Sequence, residues 1–360
     1  MQSVRSVACA AAAFALLAVS AAEGADSADS AEGDLVIRGA GATFPQPLYE
    51  EWISAYAEQA PGVRFEYAGV GSGKGTALFL AGKDPDGKVF DGADVDFGAS
   101  DAALSDKDLA QVGERGAVMV PTTGGIVALA YNLPGVDELK LSRAAVQGIF
   151  TGTIKSWNDP IIAAANPGVT LPSKTVTPVV RRDSSGTTFI MTSHLAAAFP
   201  AWRDVAGVAK QLDWPGNTMK VNYNEGVAQR VKISTGSIGY MEYQFAKRLG
   251  LPMAMIENKA GELVAPTPES GTAALASAQE VPDDLRVFVP DPPGDGAYPI
   301  VGYTWLLLYQ SYPDAAKREA LKGAVLWGLA DGQPIAEEMG YIPLPEDMVE
   351  MARAKVEAVY

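Results

Sequence analysis

Cysteine and histidine are almost absent from this chain of 360 residues, which holds one of each, Cys9 and His194. Cys9 lies in an apolar leader, so beyond it no disulfide can form and no thiol is available for catalysis. One imidazole without thiolates also makes a poor zinc or soft-metal site, and the sequence points to neither a metal nor a cofactor. Ser193-His194 lacks the sharp nucleophile elbow and the spatial partners of a hydrolase triad, and His194 reads as a structural residue on a helix. Positive charge is scarce as well: 28 Lys and Arg face 43 Asp and Glu, a net charge of -15. Such a balance excludes nucleic acid as the main partner, because phosphate backbones need clustered cations. It leaves room for one local basic pocket, since net charge does not fix the potential inside a cleft. Outside the leader, no run approaches the roughly 20 apolar residues of a membrane-spanning helix.

The chain is rich in apolar residues, at 48%. At this length two lobes are the expected organisation. Arg5 is followed by an alanine-rich stretch through Phe14, Leu16, Leu17 and Val19 and then by Ser20-Ala21-Ala22. One positive charge, a short apolar core and small residues at the exit describe a secretory signal peptide over 1–22. Cys9 has no apolar stretch before it and does not fit a lipid attachment site. Residues 23–33 form a polar, flexible lead, and the product is expected to be soluble outside the cytoplasm.

From there the chain repeats strand, glycine-rich turn, helix. Leu35-Val36-Ile37-Arg38 is a strand, followed by the turn GAGATFP and an amphipathic helix over 47–60 that Pro61-Gly62 stops. Val63 to Tyr67 alternates as a strand, GVGSGKG turns, and Thr76 to Ala81 opens a helix. Asp84 to Gly92 reads as a solvated loop, and Val95 to Asp101 ends a third strand in small and polar residues. Val118 to Pro121 and Gly125 to Tyr131 read as separate strands, and Leu141 onward as helices stopped by Trp157-Asn158-Asp159-Pro160. Val176 to Val180 is a strand, Thr188 to Leu195 a helix, Pro266 to Ser270 a loop, Pro299 to Tyr309 a strand, and 315–339 one helix ending at Gly340. Trp157, Trp202, Trp214 and Trp305 read as packing groups. The rhythm is that of an α/β fold with a mostly parallel sheet, whose ligands sit beyond the carboxyl ends of strands.

Two turns invite an anion. Gly71-Ser72-Gly73-Lys74-Gly75-Thr76 lacks the Gly-Lys-Ser/Thr ending and the spacing of a nucleotide phosphate loop, so nucleotide hydrolysis is excluded. Arg181-Arg182-Asp183-Ser184-Ser185-Gly186-Thr187-Thr188 sits between a strand and a helix start. There the orphan N–H groups of the helix, the hydroxyls and an arginine could converge on one anion. The same residues also suit a capping turn, and the motif alone does not choose.

The ordered set GAGATFPQPLYEEW (39–52), YAGVGSGKG (67–75), DFGASDAAL (96–104), GIFTGTIKSWND (148–159), VVRRDSSGTTF (179–189), GSIGYMEY (236–243), YPIVGYTWLLLY (298–309) and GYIPLP (340–345) resembles one family across nearly the whole mature chain. That family is the periplasmic phosphate-binding proteins of high-affinity ABC phosphate importers. The resemblance implies a two-lobed type II periplasmic binding fold, each lobe a mixed β-sheet flanked by helices, with a two-strand hinge. It implies lobe 1 over 34–119, lobe 2 over 120–297, and a return to lobe 1 over 298–360. It further implies a non-enzymatic monomer in the periplasm that captures inorganic phosphate and delivers it to permease subunits in the inner membrane. By the same resemblance, Thr43 gives a hydroxyl, Phe44 a backbone N–H, Ser72 a hydroxyl, and Asp101 a carboxylate that accepts a proton from phosphate. Arg181 is the cationic ligand, Ser185, Gly186 and Thr187 form the donor turn of the other lobe, Asp183 orients the arginine, and Arg182 supports the site. Ser184 stands where the family has glycine, and the stretch 82–93 is longer. Alternatives are a binding protein for arsenate or sulfate and an exported phosphatase; Asp101 discriminates among the anions, because sulfate brings it no proton.

Overall fold

The computed structural model describes residues 35–277 and 281–360. The signal peptide expected over 1–22, with Cys9, and the polar lead over 23–33 lie outside these residues. Eleven strands are present among the described residues: β1 (Leu35–Gly41), β2 (Val63–Gly69), β3 (Phe97–Ser100), β4 (Ala117–Tyr131), β5 (Lys140–Leu141), β6 (Thr177–Arg181), β7 (Met219–Val221), β8 (Ser237–Glu242), β9 (Met255–Glu257), β10 (Leu263–Val264) and β11 (Val301–Tyr309). Thirteen α-helices accompany them: α1 (Gln46–Ala57), α2 (Ser72–Ala81), α3 (Asp106–Val112), α4 (Arg143–Phe150), α5 (Pro160–Ala165), α6 (Gly186–Ala198), α7 (Trp202–Val205), α8 (Tyr223–Ile233), α9 (Tyr243–Arg248), α10 (Pro268–Leu275), α11 (Ala315–Gly328), α12 (Gly332–Met339) and α13 (Glu346–Glu357).

Eight strands form one sheet in the order β2-β1-β3-β11-β4-β8-β6-β7. In the first half β1 runs parallel to β2 and β3, and β11 closes antiparallel on β3 and β4. In the second, β6 runs parallel to β7 and β8, and β8 is antiparallel to β4. The two halves, each flanked by helices, are the two lobes of a mixed α/β fold. β4 belongs to both: Ala117 to Ile126 pair with β11, and Val127 to Tyr131 pair with β8. The partner changes between adjacent residues, where Gly124 N–H donates to Ile342 O at 2.8 Å and Val127 N–H to Ile300 O at 2.9 Å.

The parallel strands β1, β2, β3, β6 and β7 deliver their carboxyl ends to the same region. β1 leads to Thr43, β2 to Ser72, β3 to Asp101, β6 to the 183–187 turn and β7 to Asn224. This layout needs tight helix-on-strand packing. A Cβ on Gly75 would lie 2.7 Å from Ala40 O and closer still to Gly41 Cα, so only glycine lets α2 start against β1. The four tryptophans read as packing groups are all buried. So is His194 on α6, which burial holds down at about 4 and therefore neutral near pH 7, with Nδ1 3.7 Å from Asp291 Oδ1.

Several expectations need correction. Val118–Pro121 and Gly125–Tyr131 are one strand, because β11 and β8 pair with it in succession. Trp157-Asn158-Asp159-Pro160 starts a helix rather than stopping one: Asp159 Oδ1 caps Ile161 N–H at 2.9 Å and Pro160 takes the first helical turn. Pro266 to Ser270 is only partly loop, since Thr267 and Ser270 form a capping box that opens α10. The helix expected over 315–339 is broken after Gly328; Trp52 packs against Gly328 and Gly332 and donates Nε1–H to Gly332 O at 2.9 Å. The 84–92 loop is built around a buried group, the Asp84 carboxylate, whose Oδ2 accepts the N–H groups of Val89 and Phe90 at 2.7 Å each.

Candidate anion-binding site

The two lobes meet where the strand ends converge. Gly73 N–H donates to Ser184 O at 2.9 Å, which joins the first turn of α2 to the turn after β6. α2 begins at Ser72 and α6 at Gly186, so the free N–H groups of both first turns open into this junction. Ser185 adopts extended backbone and caps α6, its Oγ accepting Thr188 N–H at 3.1 Å. The capping turn and the anion turn weighed from the sequence are thus compatible: the cap uses one lone pair of Ser185 and leaves its O–H hydrogen free.

Asp101 lies at the centre and is only 2% exposed. Thr304 Oγ1 donates to its Oδ1 at 2.8 Å, Ser72 Oγ to its Oδ2 at 3.4 Å, and its own N–H donates to Ser72 Oγ at 3.2 Å. A Cβ added to Gly186 would sit 2.5 Å from Asp101 Oδ2 and closer still to Ser72 Oγ, so the α6 N-terminus of one lobe faces the carboxyl and hydroxyl of the other with no side chain between. Burial pushes the Asp101 carboxyl up to about 7, against the lowering effects of Thr304, Arg181 and Ser72.

Arg181 is also only 2% exposed. Asp183 grips it in a fork, Nε to Oδ1 at 2.8 Å and Nη2 to Oδ2 at 2.5 Å. That leaves Nη1 turned toward Thr187 Oγ1 at 3.5 Å. The Asp183 carboxylate is held in turn by Tyr223 N–H at 3.1 Å. Arg182 does not join the cluster; its side chain is exposed and Nε donates to Asn222 Oδ1 at 3.2 Å. Arg181 is the last residue of β6 and faces the junction, whereas Arg182 follows the strand, its N–H donating to Val221 O at 2.8 Å and its side chain lying outside. Thr43, Phe44, Ser72, Asp101, Arg181, Ser185, Gly186 and Thr187 are all buried at the lobe junction, with Asp183 half-buried at its edge. Among the described residues no group of three His, Cys, Asp or Glu side chains is placed to hold a metal ion.

Two members of the site were missed in the sequence. Thr304 is the one aliphatic hydroxyl in PIVGYTWLLLY, and a small polar residue inside so apolar a strand was a usable signal. Asn224 follows β7, a strand of three residues too short to show any period, so its strand-turn-helix setting was not visible.

A PBP superfamily domain model matches residues 20–323. The chain is 36% identical over 323 residues to the phosphate-binding protein PstS of Pasteurella multocida, covering 89% of each sequence. The chain belongs to the PstS family of phosphate-binding proteins. The family PstS of Methanocaldococcus jannaschii is 33% identical over 341 residues, with 88% of this chain and 84% of that one covered. Among solved structures, the high affinity periplasmic phosphate-binding protein PfluDING bound with phosphate matches at a TM-score of 0.74 and 25% identity, over 89% of this chain and 93% of the other. The phosphate-binding protein from Stenotrophomonas maltophilia, at 21% identity and a TM-score of 0.68, shares the fold over 89% and 94%.

Proposed function

We propose that this chain is the extracytoplasmic substrate-binding component of an ABC transporter, that it captures inorganic phosphate between its lobes, and that it passes the ion to a membrane permease. It acts as a monomer in the periplasm, as a binding protein and not an enzyme. Thr43, Phe44, Ser72, Arg181, Ser185, Gly186 and Thr187 donate hydrogen bonds to the anion, Asp183 holds Arg181 in place, and Asp101 accepts. The resemblance put the lobe boundaries at 119/120 and 297/298; we set them near 126 and 300 instead, where β4 changes partners from β11 to β8, and the lobes close by bending there.

The observation that carries the reading is the buried Asp101 carboxyl placed among donors. A site made only of donors would take any tetrahedral anion. One acidic group inside it asks for an anion that brings a proton. Phosphate at neutral pH keeps at least one; sulfate has none, and its oxygen would meet the carboxylate oxygen with like charge and no hydrogen bond. The surrounding dipoles offset the anion's charge without an excess of bases, which reconciles an anion site with a net charge of -15. Arsenate shares phosphate's shape and protonation, so Asp101 does not separate those two.

The test is calorimetric titration of the phosphate-stripped chain with phosphate, sulfate and arsenate at pH 8, repeated with Asp101→Asn. We expect one-to-one binding of phosphate and arsenate and no sulfate heat. Asn, which can turn an N–H toward a bare oxygen, should narrow the phosphate-to-sulfate preference at least ~10-fold. Sulfate binding by the unmutated chain at pH 8 equal to phosphate binding would refute the reading.

A further inference from the structure

Asn224 sits at the junction, and no role toward the anion has yet been given to it. It is fully buried in the first turn of α8, in the lobe opposite Thr43. Its amide is oriented by the backbone: Glu242 N–H donates to Oδ1 at 3.1 Å. The opposite orientation would press an NH₂ group against that N–H, so the oxygen belongs on the Glu242 side and Nδ2 on the other. Nδ2 has two hydrogens and two partners, Thr43 Oγ1 at 3.0 Å and Thr187 Oγ1 at 3.2 Å.

Each threonine receives one more bond. Asn224 N–H lies 3.4 Å from Thr43 Oγ1, and Arg181 Nη1 lies 3.5 Å from Thr187 Oγ1. A hydroxyl oxygen has two lone pairs and one hydrogen. With both lone pairs facing N–H donors, each hydroxyl can act toward a further group only through its hydrogen. A free threonine rotor points either its lone pairs or its proton into an empty cleft and has to be turned before it can donate. Here that choice is removed before the anion arrives.

We propose that Asn224 is a positioning residue for anion binding: it fixes the hydroxyls of Thr43 and Thr187 as donors, and its bond to Thr43 ties the lobes in the closed state. The assignment rests on the phosphate-binding reading above. It carries a chemical consequence, since any residue at 224 that accepts rather than donates would turn both hydroxyl hydrogens away from the ligand. The residue makes the threonines selective for an anion's oxygens and does not itself supply a bond to the ion.

The experiment is a mutant cycle read by phosphate calorimetry, with thermal midpoints of the ligand-free proteins recorded alongside. The set is wild type, Asn224→Ala, Thr43→Val with Thr187→Val, and the triple variant, plus Asn224→Asp in the wild-type background. We expect Asn224→Ala to weaken phosphate binding about 10-fold or more in the wild type and under about 2-fold when both threonines are already valine. Asn224→Asp keeps the size and the Oδ1 acceptor, so it covers the case in which alanine fails to fold; it should weaken binding more than alanine does. Equal losses in both backgrounds, no loss from Asn224→Ala in the wild type, or wild-type affinity in Asn224→Asp would each overturn the assignment while the wild type still binds phosphate. Failure of the folded wild type to bind phosphate would overturn both this assignment and the reading on which it rests.

Discussion

A buried acid with few compensating charges stabilises its neutral form, and Asp101 shows this in the direction of its shift, from 3.8 up to about 7. The consequence for the ligand-free protein follows from linkage. Below about pH 4 Asp101 is protonated in both folded and unfolded chains and costs nothing. Between about 4 and 7 the unfolded chain has released the proton while the folded chain still holds it, so stability falls as pH rises, and above about 7 the full cost is present. Asp101→Asn should therefore be the more stable protein at pH 8, by a few kcal/mol at most, with the difference vanishing toward pH 4. Urea midpoints of the two ligand-free proteins across that range check this; a difference independent of pH would contradict the assigned cause. At the same scale, the sequence disclosed the residues that sit in polar turns, because a hydroxyl or acid beside a glycine after a strand has few reasons to be there. It did not disclose Thr304 or Asn224, whose importance lies in what they touch across more than 180 positions of chain, as in the Thr43–Asn224 bond.

At the scale of elements, the site depends on where helices start. α2 can present Ser72 only because Gly75 sits flat on β1. Gly75→Ala should destabilise the fold by about 1–3 kcal/mol, since its methyl group meets backbone rather than a movable side chain. The same displacement should carry Ser72 away from Asp101 and weaken phosphate binding. Denaturant unfolding and calorimetry on one sample read both effects, and a loss in neither would show that α2 has room to spare. Elements with a strong local period were legible: α1, β2, β6 and α6 lie where composition placed them, within a few residues. The errors share one physical origin. Pro160 begins α5 where the sequence suggested a stop, Pro268 begins α10 where it suggested a loop, and an uninterrupted apolar pattern concealed the break that Trp52 makes between α11 and α12. Helix ends are decided by capping partners and by packing from distant segments, and neither is a periodic signal.

At the scale of the whole molecule, the separation of site residues in sequence has a topological cause: parallel strands of both half-sheets deliver their carboxyl ends to one seam. Binding there should draw on contacts from both lobes together, so phosphate at 1,000 times its Kd raises stability by about 4 kcal/mol through mass action. Because β4 is shared by the two halves, the lobes have one unbroken backbone in common, and its amide hydrogens record how they move. If opening bends the strand only where it changes partners, deuterium should enter the amides at 124–127 and the site turns faster in phosphate-free protein than in saturated protein. The ladders at 117–123 and 128–131 should then exchange at the same rate in both. The strand would carry a timestamp of each opening in a window of four residues, legible by mass, with silence on either side.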